Sequence, residues 1–388
     1  EWVVAGAHSD AWNAGAGDNV SGTASVLAAA RAVAELARAG ARPRRTIVFA
    51  TWDAEEWGLM GSTEWVEELA AELGARAVAY LNQDGVASGP TFGASAAPSL
   101  KRLVREASRA VPAPEGEGSL YEGWRMAARR PGPATPTPDV PEDPRTSEGD
   151  DVVLGNLGGG SDFAPFYNHL GIPSAGWGFG GGGSQYHSAY DTYAWMARFG
   201  DPGFHRHAAS SRLVAVAALR LANAEVLPYD YEEFARELRA VVTTLSDEAT
   251  KGGLADVGLA DLDSAFAAME RGARELAATR DAWLRQPAGL AKAARAVADK
   301  ANQHLLQVER ALTRPEGLRG RPWYRNLIFA SDWRNYYATI ALPSVAEAIR
   351  ERDAALARSE AEDLARRVRS ATMHIGAATA VLRGTGTS

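Results

Sequence analysis

The segment TIVFATWDAEEWG, residues 46–58, decides the fold class of this chain. Its first half is a run of β-branched and aromatic residues, which is typical of a buried strand. Its second half is polar and carries the adjacent carboxylates Glu55 and Glu56. Acidic residues directly after a buried strand are expected in an α/β protein, because ligands collect beyond the carboxyl ends of parallel strands.

The sequence on both sides of this segment alternates between strand and helix patterns. Strand patterns cover residues 2–7, 77–82, 151–157 and 172–179, and helical patterns cover residues 22–39, 61–73 and 163–170. This order predicts an α/β domain with a mostly parallel sheet and helices on both faces. The stretch 131–144 is rich in proline and acidic residues, so it is predicted to be a solvated loop.

The composition changes after about Pro228, where the chain becomes rich in Ala, Leu, Arg and Glu. Helical periodicity then covers residues 231–245, 259–285, 290–312 and 343–382. This pattern predicts an all-α helical bundle without strands of its own. The sequence therefore predicts two domains, residues 1–228 and residues 229–388.

The bulk properties exclude several classes of protein. The chain has 388 residues, of which 46% are hydrophobic and 23% charged, as expected for a globular protein of two domains. A net charge of -7 without a basic stripe argues against nucleic acid as a partner. The absence of cysteine excludes disulfides and thiolate metal ligands.

The beginning of the chain is informative about processing. There is no run of 18 apolar residues, so no membrane-spanning segment is predicted. The chain starts at Glu1 directly before a strand pattern, without a leader segment, and we therefore expect further sequence upstream.

Candidate metal ligands follow four of the predicted strands and loops. They comprise two histidines and several carboxylates: His8, Asp10, Asp18, Glu55, Glu56, Asp84 and His187. Each has an ordinary alternative, such as a hydrogen-bonded loop histidine or carboxylates that begin a helix. Together they match the ligands that zinc takes when no thiolate is present, in the number that a two-metal site needs.

Rival sites and chemistries find little support. The remaining histidines lie in helical patterns without acids at ligand spacing and are interpreted as structural: His169, His205, His207, His304 and His374. The chain has no His-Glu-x-x-His motif of single-zinc proteases and no Gly-x-Ser-x-Gly motif of serine hydrolases.

The segments 6–10, 52–65 and 186–188 resemble the M28 zinc metallopeptidases. The resemblance is to the branch of glutamate carboxypeptidase II (prostate-specific membrane antigen) and the transferrin receptor, and it continues at residues 120–124 and 321–325. It implies an M28 zinc-peptidase domain over residues 1–228 and a transferrin receptor-like dimerisation domain over residues 229–388. It also implies that the N-terminal part of the peptidase domain and the protease-associated domain of this branch lie outside this sequence.

The resemblance assigns the metal ligands residue by residue. Asp18 corresponds to the carboxylate that bridges two Zn²⁺ ions. His8 and Asp84 would complete the first zinc site, and Glu56 and His187 the second.

Further roles also follow from the resemblance alone. Glu55 would be the general base, Asp10 would orient His8, and Tyr186 would donate a hydrogen bond to the tetrahedral intermediate. Two acids, Glu64 and Glu67, match positions that bind a structural Ca²⁺ ion in the relative.

The sequence departs from the glutamate-specific pattern at the substrate-binding positions. A lysine–tyrosine pair of the relative reads Tyr336-Tyr337 here, its arginine-rich patch falls on residues 175–179, and an asparagine falls on Ser161. The loss of these cations predicts that the pocket does not select acidic substrates but neutral or apolar peptides.

The function predicted from these features is a di-zinc exopeptidase of the carboxypeptidase or dipeptidase kind, acting on peptides and not specific for glutamate. An aminopeptidase of the same family and a catalytically inactive receptor or scaffold remain as alternatives. The resemblance further implies a homodimer formed through the helical domain and a full-length protein that is exported, either periplasmic, secreted or anchored outside the cytoplasm.

Overall fold

The structure is a computed structural model that describes residues 1–129, 151–254, 256–285 and 292–384. The predicted loop at 131–144 lies outside these residues. The first part of the chain forms a five-stranded sheet in the order β2-β1-β3-β5-β4. Its strands are β1 (Trp2–His8), β2 (Thr46–Trp52), β3 (Ala77–Asn82), β4 (Thr91–Ala96) and β5 (Ser174–Gly180).

Four of these strands run parallel, and β4 pairs antiparallel with β5 at one edge. β3 lies near the centre and is buried along its whole length, whereas β2 forms the other edge and is half-exposed. The mostly parallel α/β sheet predicted from the sequence is therefore confirmed.

Seven α-helices accompany the sheet in the described part of the chain up to residue 230. They are α1 (Ser21–Arg38), α2 (Met60–Glu68), α3 (Ala70–Arg76), α4 (Pro98–Ser108), α5 (Leu120–Ala128), α6 (Tyr193–Trp195) and α7 (His205–Asn223). Short π-helical turns cover Ala16–Val20, Pro165–His169 and Met196–Gly200. α1 and α7 pack against β1. The ring of Phe166, from the second π-helical turn, stacks on Tyr80 of β3 with ring centroids 4.0 Å apart.

One segment, Ala16–Arg38, is apolar and long enough to cross a membrane by length and composition. This property is compatible with a signal sequence or an anchor, and the core helix of a globular protein shares it. In the structure, α1 buries Val26, Ala29 and Val33 against the sheet and α7. Packing therefore accounts for only part of its apolar composition: 33% of its most apolar 18 residues are buried, and Leu27 and Leu36 are exposed on the other side.

The second part of the chain is mainly helical. It contains α8 (Tyr231–Lys251), α9 (Leu259–Leu284), α10 (Lys292–Arg310), the hairpin strands β6 (Phe329–Asp332) and β7 (Asn335–Ala341), α11 (Pro343–Arg350) and α12 (Ala354–Leu382). Its hydrophobic core is continuous with that of the first part. Tyr229 donates a hydrogen bond to the carbonyl of Val78 in β3 (2.5 Å), and Lys101 of α4 forms a buried ion pair with Glu237 of α8 (2.8 Å). The domain boundary near residue 228 remains a prediction.

Two predictions for the second part are wrong in detail. The bundle does have strands of its own, because β6 and β7 form an antiparallel hairpin from residues that favour extended backbone. The long helix predicted over 343–382 is divided into α11 and α12 by a turn in which Arg352 has a φ of +62°. Asp353 then caps α12 by accepting a hydrogen bond from the backbone N–H of Leu356.

Three predictions for the first part also need correction. The predicted strand at 151–157 makes only one bridge, between Gly155 and Ser95, because the segment touches the outer edge of β4 at a single point. The helix predicted over 61–73 is divided into α2 and α3 at Leu69. The antiparallel strand β4 was not predicted, since its sequence TFGASA lacks the apolar run of a central strand.

Candidate functional site

The candidate ligands meet at one edge of the sheet because of the strand topology. His8 is the last residue of β1, Glu55 and Glu56 follow β2, and Asp84 follows β3. These strands are parallel neighbours, so their carboxyl ends bring the side chains together. Asp18 lies in the turn Ala16–Val20 before α1, at a kink where its backbone is not helical, and His187 lies in the loop after β5.

Asp18 lies between the two histidines. Its Oδ1 is 3.2 Å from Nε2 of His8, and its Oδ2 is 3.0 Å from Nε2 of His187. Asp84 Oδ1 lies 3.3 Å from His8 Nε2, and Glu56 Oε2 lies 3.1 Å from His187 Nε2. The side chains therefore form two neighbouring groups, each with one histidine and one further carboxylate, that share Asp18.

Glu55 lies beside the first group, with Oε2 4.0 Å from His8 Nε2. Two sets of three side chains in the described residues offer ligand atoms that all lie within 4.8 Å of one another: His8, Glu55 and Asp84, and His8, Asp18 and Glu56. Position alone thus does not separate Glu55 from the ligands, and its role as a base stays an expectation from the resemblance.

The cluster combines an excess of negative charge with burial. Burial lowers the pKa of His8, but the carboxylates of Asp18 and Asp84 outweigh it and raise the pKa to about 12. Burial and the charge of Asp84 raise the pKa of Glu55 to about 9. Burial, followed by the charge of Asp18, raises the pKa of Glu56. These carboxylates repel one another and are only partly compensated by the histidines.

The donor set fits metal ions. Within the described residues, Glu56 Oε1 is buried and accepts no hydrogen bond, and the buried Asp18 Oδ1 has only the ring of His8 beside it, 3.2 Å away. A buried carboxylate oxygen with so few partners is costly unless a cation pairs with it. The converging atoms are imidazole nitrogens and carboxylate oxygens, the set that zinc prefers in a protein without thiolates. A divalent cation in each group would also neutralise the excess negative charge.

Asp10 holds the turn after β2 as well as His8. Its carboxylate accepts hydrogen bonds from the backbone N–H groups of Glu55 (3.1 Å) and Glu56 (3.2 Å). Its Oδ1 also lies 3.4 Å from Nδ1 of His8, although the backbone carbonyl of Asp10 is nearer, at 3.1 Å. Asp10 therefore links the position of the two glutamates to that of the histidine.

Two residues that position Asp18 were not predicted from the sequence. The carboxylate of Asp191 accepts hydrogen bonds from the backbone N–H groups of Gly17 (2.8 Å) and Asp18 (3.0 Å). The amide of Asn19 accepts hydrogen bonds from Gly22 N–H and donates to the carbonyl of Gln83. Asp191 is 173 residues away from Asp18 along the chain, so no local pattern indicates the contact.

Ser161 lies against the ligand Asp84. Its hydroxyl donates to Asp84 Oδ2 (2.6 Å) and accepts a hydrogen bond from the amide of Asn82 (2.7 Å). This chain of hydrogen bonds orients Asp84. The binding of substrate by Ser161 remains a prediction.

A cavity of about 500 Å³ opens above the cluster. Aromatic side chains form much of its lining: Trp12, Tyr186, Tyr324, Tyr336 and Tyr337. The described residues that line it include no lysine or arginine.

Tyr186 and Tyr337 are neighbours at this cavity. The ring of Tyr186 stacks on His187, with centroids 3.7 Å apart. Burial and a hydrogen bond with the Tyr337 hydroxyl raise the pKa of Tyr186, so that its hydroxyl is neutral and able to donate. The hairpin β6–β7 thus brings Tyr337 from the second part of the chain to the site.

The predicted calcium residues are apart from this cluster. Glu64 and Glu67 are exposed on α2, and Glu67 accepts a hydrogen bond from the indole N–H of Trp323 (2.7 Å). Neither belongs to a group of three possible ligands among the described residues. The calcium site therefore remains a prediction.

Comparison with known proteins identifies two family matches in this chain. Residues 1–121 match the family described as peptidase family M28, and residues 257–376 match the transferrin receptor-like dimerisation domain. The first match contains the candidate ligands at the carboxyl ends of β1, β2 and β3. The second match extends from α9 into α12.

Curated relatives carry the names of peptidases. A protein of Arabidopsis thaliana named probable glutamate carboxypeptidase LAMP1 is 38% identical over 350 residues, 90% of this chain and 46% of its own length. A probable glutamate carboxypeptidase of Arthroderma benhamiae is 34% identical over 90% of this chain and 45% of its own length. Aminopeptidase NAALADL1 of Mus musculus is 36% identical over 62% of this chain and 32% of its own length. The chain thus spans about half the length, or less, of these relatives.

Proposed function

Because the chain belongs to peptidase family M28, in the branch that carries a transferrin receptor-like dimerisation domain, we propose that it is a di-zinc exopeptidase. Its substrates would be peptides or dipeptides, without specificity for a glutamate residue. The observation that carries the proposal is the placement of Asp18 between two histidine–carboxylate groups.

Each group would hold one Zn²⁺ ion. His8 and Asp84 would bind the first, Glu56 and His187 the second, and Asp18 both. When bound, the two ions would polarise the peptide carbonyl and lower the pKa of water. Asp10, Asp191 and Ser161 would hold these ligands in place through the hydrogen bonds described above.

The protein side chains would move the protons. Glu55 would accept a proton from the water that attacks the carbonyl carbon, and would deliver it to the amine nitrogen as the C–N bond breaks. The Tyr186 hydroxyl would donate a hydrogen bond to the carbonyl oxygen as negative charge develops on it. Its position beside His187 supports this role.

The lining of the cavity supports a preference for neutral peptides. A glutamate side chain brought into it would find the tyrosines Tyr336 and Tyr337 but no lysine or arginine among the described lining residues. An unpaired carboxylate is poorly held in a closed site. The relatives are named carboxypeptidases and an aminopeptidase, so the trimmed end remains open between the carboxypeptidase or dipeptidase and the aminopeptidase alternatives.

The remaining features are part of the same proposal. The dimerisation domain supports a homodimer formed through the helical part of the chain, which light scattering would detect. An exported full-length protein and one structural Ca²⁺ ion are carried over from the resemblance. The apolar segment Ala16–Arg38 is compatible with export, although it packs within the fold.

The proposal is tested by a digest of a peptide library, read by mass spectrometry, together with measurement of the zinc content. We expect two zinc ions per chain and the release of single residues or dipeptide cleavage, both abolished by a chelator. Glu55→Gln should retain the zinc and lower kcat by about 10²- to 10⁴-fold, the usual contribution of a general base. Glu68→Gln, on the exposed side of α2, is the matched control. A zinc-free protein that stays inert after zinc is added would instead favour the scaffold alternative.

A further inference from the structure

Two histidines outside the candidate metal centre face each other in the helical part of the chain. His304 lies on α10 and His374 lies on α12, and these two helices pack together. Their ring centroids are 6.0 Å apart, and the two ring planes are inclined at 39°. No local pattern in the sequence indicates this pair, because each histidine stands alone on its own helix.

The nitrogens of the two rings are not engaged by the protein. Neither imidazole makes a hydrogen bond or an ion pair with another residue in the part of the chain that the structure describes. Both side chains are half-buried, so each ring has lost part of its contact with water without gaining a polar partner. Burial, followed by the charge of His304, lowers the pKa of His374, so its ring is neutral at neutral pH and keeps a nitrogen lone pair.

The residues one helical turn away from the pair limit the kind of ligand that it is able to bind. The polar ones among them are Lys300 and Gln307 on α10 and Ser370 on α12, and none of these is acidic. Ca²⁺ and Mg²⁺ need several oxygen ligands, usually carboxylates, and are therefore disfavoured. Two neutral imidazoles are instead the ligands that Zn²⁺, Ni²⁺ and Cu²⁺ prefer.

We propose that His304 and His374 together bind one transition-metal ion of this class between α10 and α12. An imidazole nitrogen binds such an ion at about 2.1 Å, so the centres of two rings on one ion lie at most about 6.4 Å apart. The observed 6.0 Å is within this limit. Water would complete the coordination, because both side chains reach the surface. The ion would link two helices within the dimerisation-domain match, independently of the proposed peptidase function.

The test counts the ions that the pair adds to the zinc-loaded protein. The wild-type protein, His304→Gln and His374→Gln are loaded with zinc, dialysed to remove weakly bound metal, and equilibrated with Ni²⁺. Mass spectrometry of the metals should find one more Ni²⁺ ion per chain in the wild-type protein than in either variant. Ni²⁺ at about 100 times its dissociation constant should also raise the Tm of the wild-type protein by about 3 °C relative to the variants.

His205→Gln is the matched control, because His205 is an exposed histidine on α7, and this variant should bind as much Ni²⁺ as the wild-type protein. The double variant of His304 and His374 should lose no more than each single variant, since the two rings share one ion. Equal Ni²⁺ content in the wild-type protein and His304→Gln, or a loss in only one of the two single variants, would overturn the inference. Thermal unfolding without Ni²⁺ establishes that each variant is folded. Peptide hydrolysis should be unchanged in all of them, because neither histidine of the pair lines the cavity above the candidate ligands.

Discussion

At the scale of single residues, the candidate centre depends on groups that hold the ligands as much as on the ligands. Asp18 points one oxygen to each histidine, and its backbone is held by the carboxylate of Asp191. The local sequence around Asp18 predicts an acid in a polar loop but not the direction of its oxygens. That direction is set by a residue in another loop.

Asp191→Asn should therefore weaken zinc binding. An amide offers one acceptor oxygen where the carboxylate offers two, so either Gly17 or Asp18 loses its partner. We expect the zinc affinity to fall by about 10- to 100-fold, as for other residues that orient ligands. Competition with a chelating dye measures it, and Asp247→Asn on the exposed side of α8 is the control. Equal affinities in the two variants would contradict the role of Asp191.

Gly160 is a second residue for which the structure makes a sharp prediction. It has a φ of +79°, and a Cβ there would lie 3.0 Å from the ring of Tyr337. Gly160→Ala should cost about 1–2 kcal/mol of unfolding free energy from backbone strain, and should move Tyr337 from its place at the cavity. Gly74→Ala, in the open on α3, should instead be neutral or stabilise by up to about 1 kcal/mol. Urea unfolding measures the free energy of unfolding of both variants. Equal values for the two would show that the stability of the fold does not depend on a glycine at position 160.

At the scale of elements, the contact between α4 and α10 contains a titratable group far from the metal centre. Glu309 of α10 is buried and accepts a hydrogen bond from the Ser99 hydroxyl at the start of α4. Burial raises the pKa of Glu309 to about 7, although the hydrogen bond from Ser99 lowers it. The helix contact is therefore predicted to depend on pH.

A carboxyl group with a higher pKa in the folded chain binds its proton more tightly there than in the unfolded chain. The stabilisation that the protonated Glu309 side chain provides is fully present below pH 4.5, the ordinary pKa of a glutamate, and is lost as the pH rises to about 7. Over this range the free energy of unfolding falls by up to about 1.4 kcal/mol per pH unit. Glu309→Gln keeps a hydrogen-bonding side chain but removes the titration. Urea unfolding across this range should show a shallower fall of stability for Glu309→Gln than for the wild-type protein. Parallel curves for the two proteins would contradict the prediction.

At the scale of the whole molecule, the peptidase part and the helical part are joined by one hydrophobic core and by buried polar contacts. The ion pair of Lys101 and Glu237 connects α4 with α8, and both side chains are almost fully buried. The hairpin β6–β7 adds Tyr337 to the cavity above the candidate ligands. The two parts are thus expected to unfold together.

Lys101→Met should destabilise the molecule by about 3–5 kcal/mol, because it removes the ammonium group that pairs with the buried carboxylate of Glu237. The double variant Lys101→Met/Glu237→Leu should recover most of this loss, since two apolar side chains of similar size replace the pair. Chemical unfolding of the wild-type protein, Lys101→Met, Glu237→Leu and the double variant gives the four unfolding free energies of a double-mutant cycle. Additive losses in the double variant would show that the pair does not act as a unit.

The sequence alone determined the class of the fold and the candidate ligands. Apolar runs followed by acids or a histidine are local features, and parallel strands bring their carboxyl ends to one edge, so His8, Glu55, Glu56 and Asp84 were predicted at the same site. The helical second part was equally evident, because periodicity is visible within a few turns.

Only the tertiary structure decided the contacts between distant segments. Three features depend on register and packing across the chain: the support of Asp18 by Asp191, the hairpin that brings Tyr337 to the site, and the pairing of β4 with β5. A weak strand such as β4 forms because β5 pairs with it, not because of its own propensity. Short-range patterns therefore predicted which side chains supply the chemistry, and long-range pairing determined how they are oriented and what surrounds them.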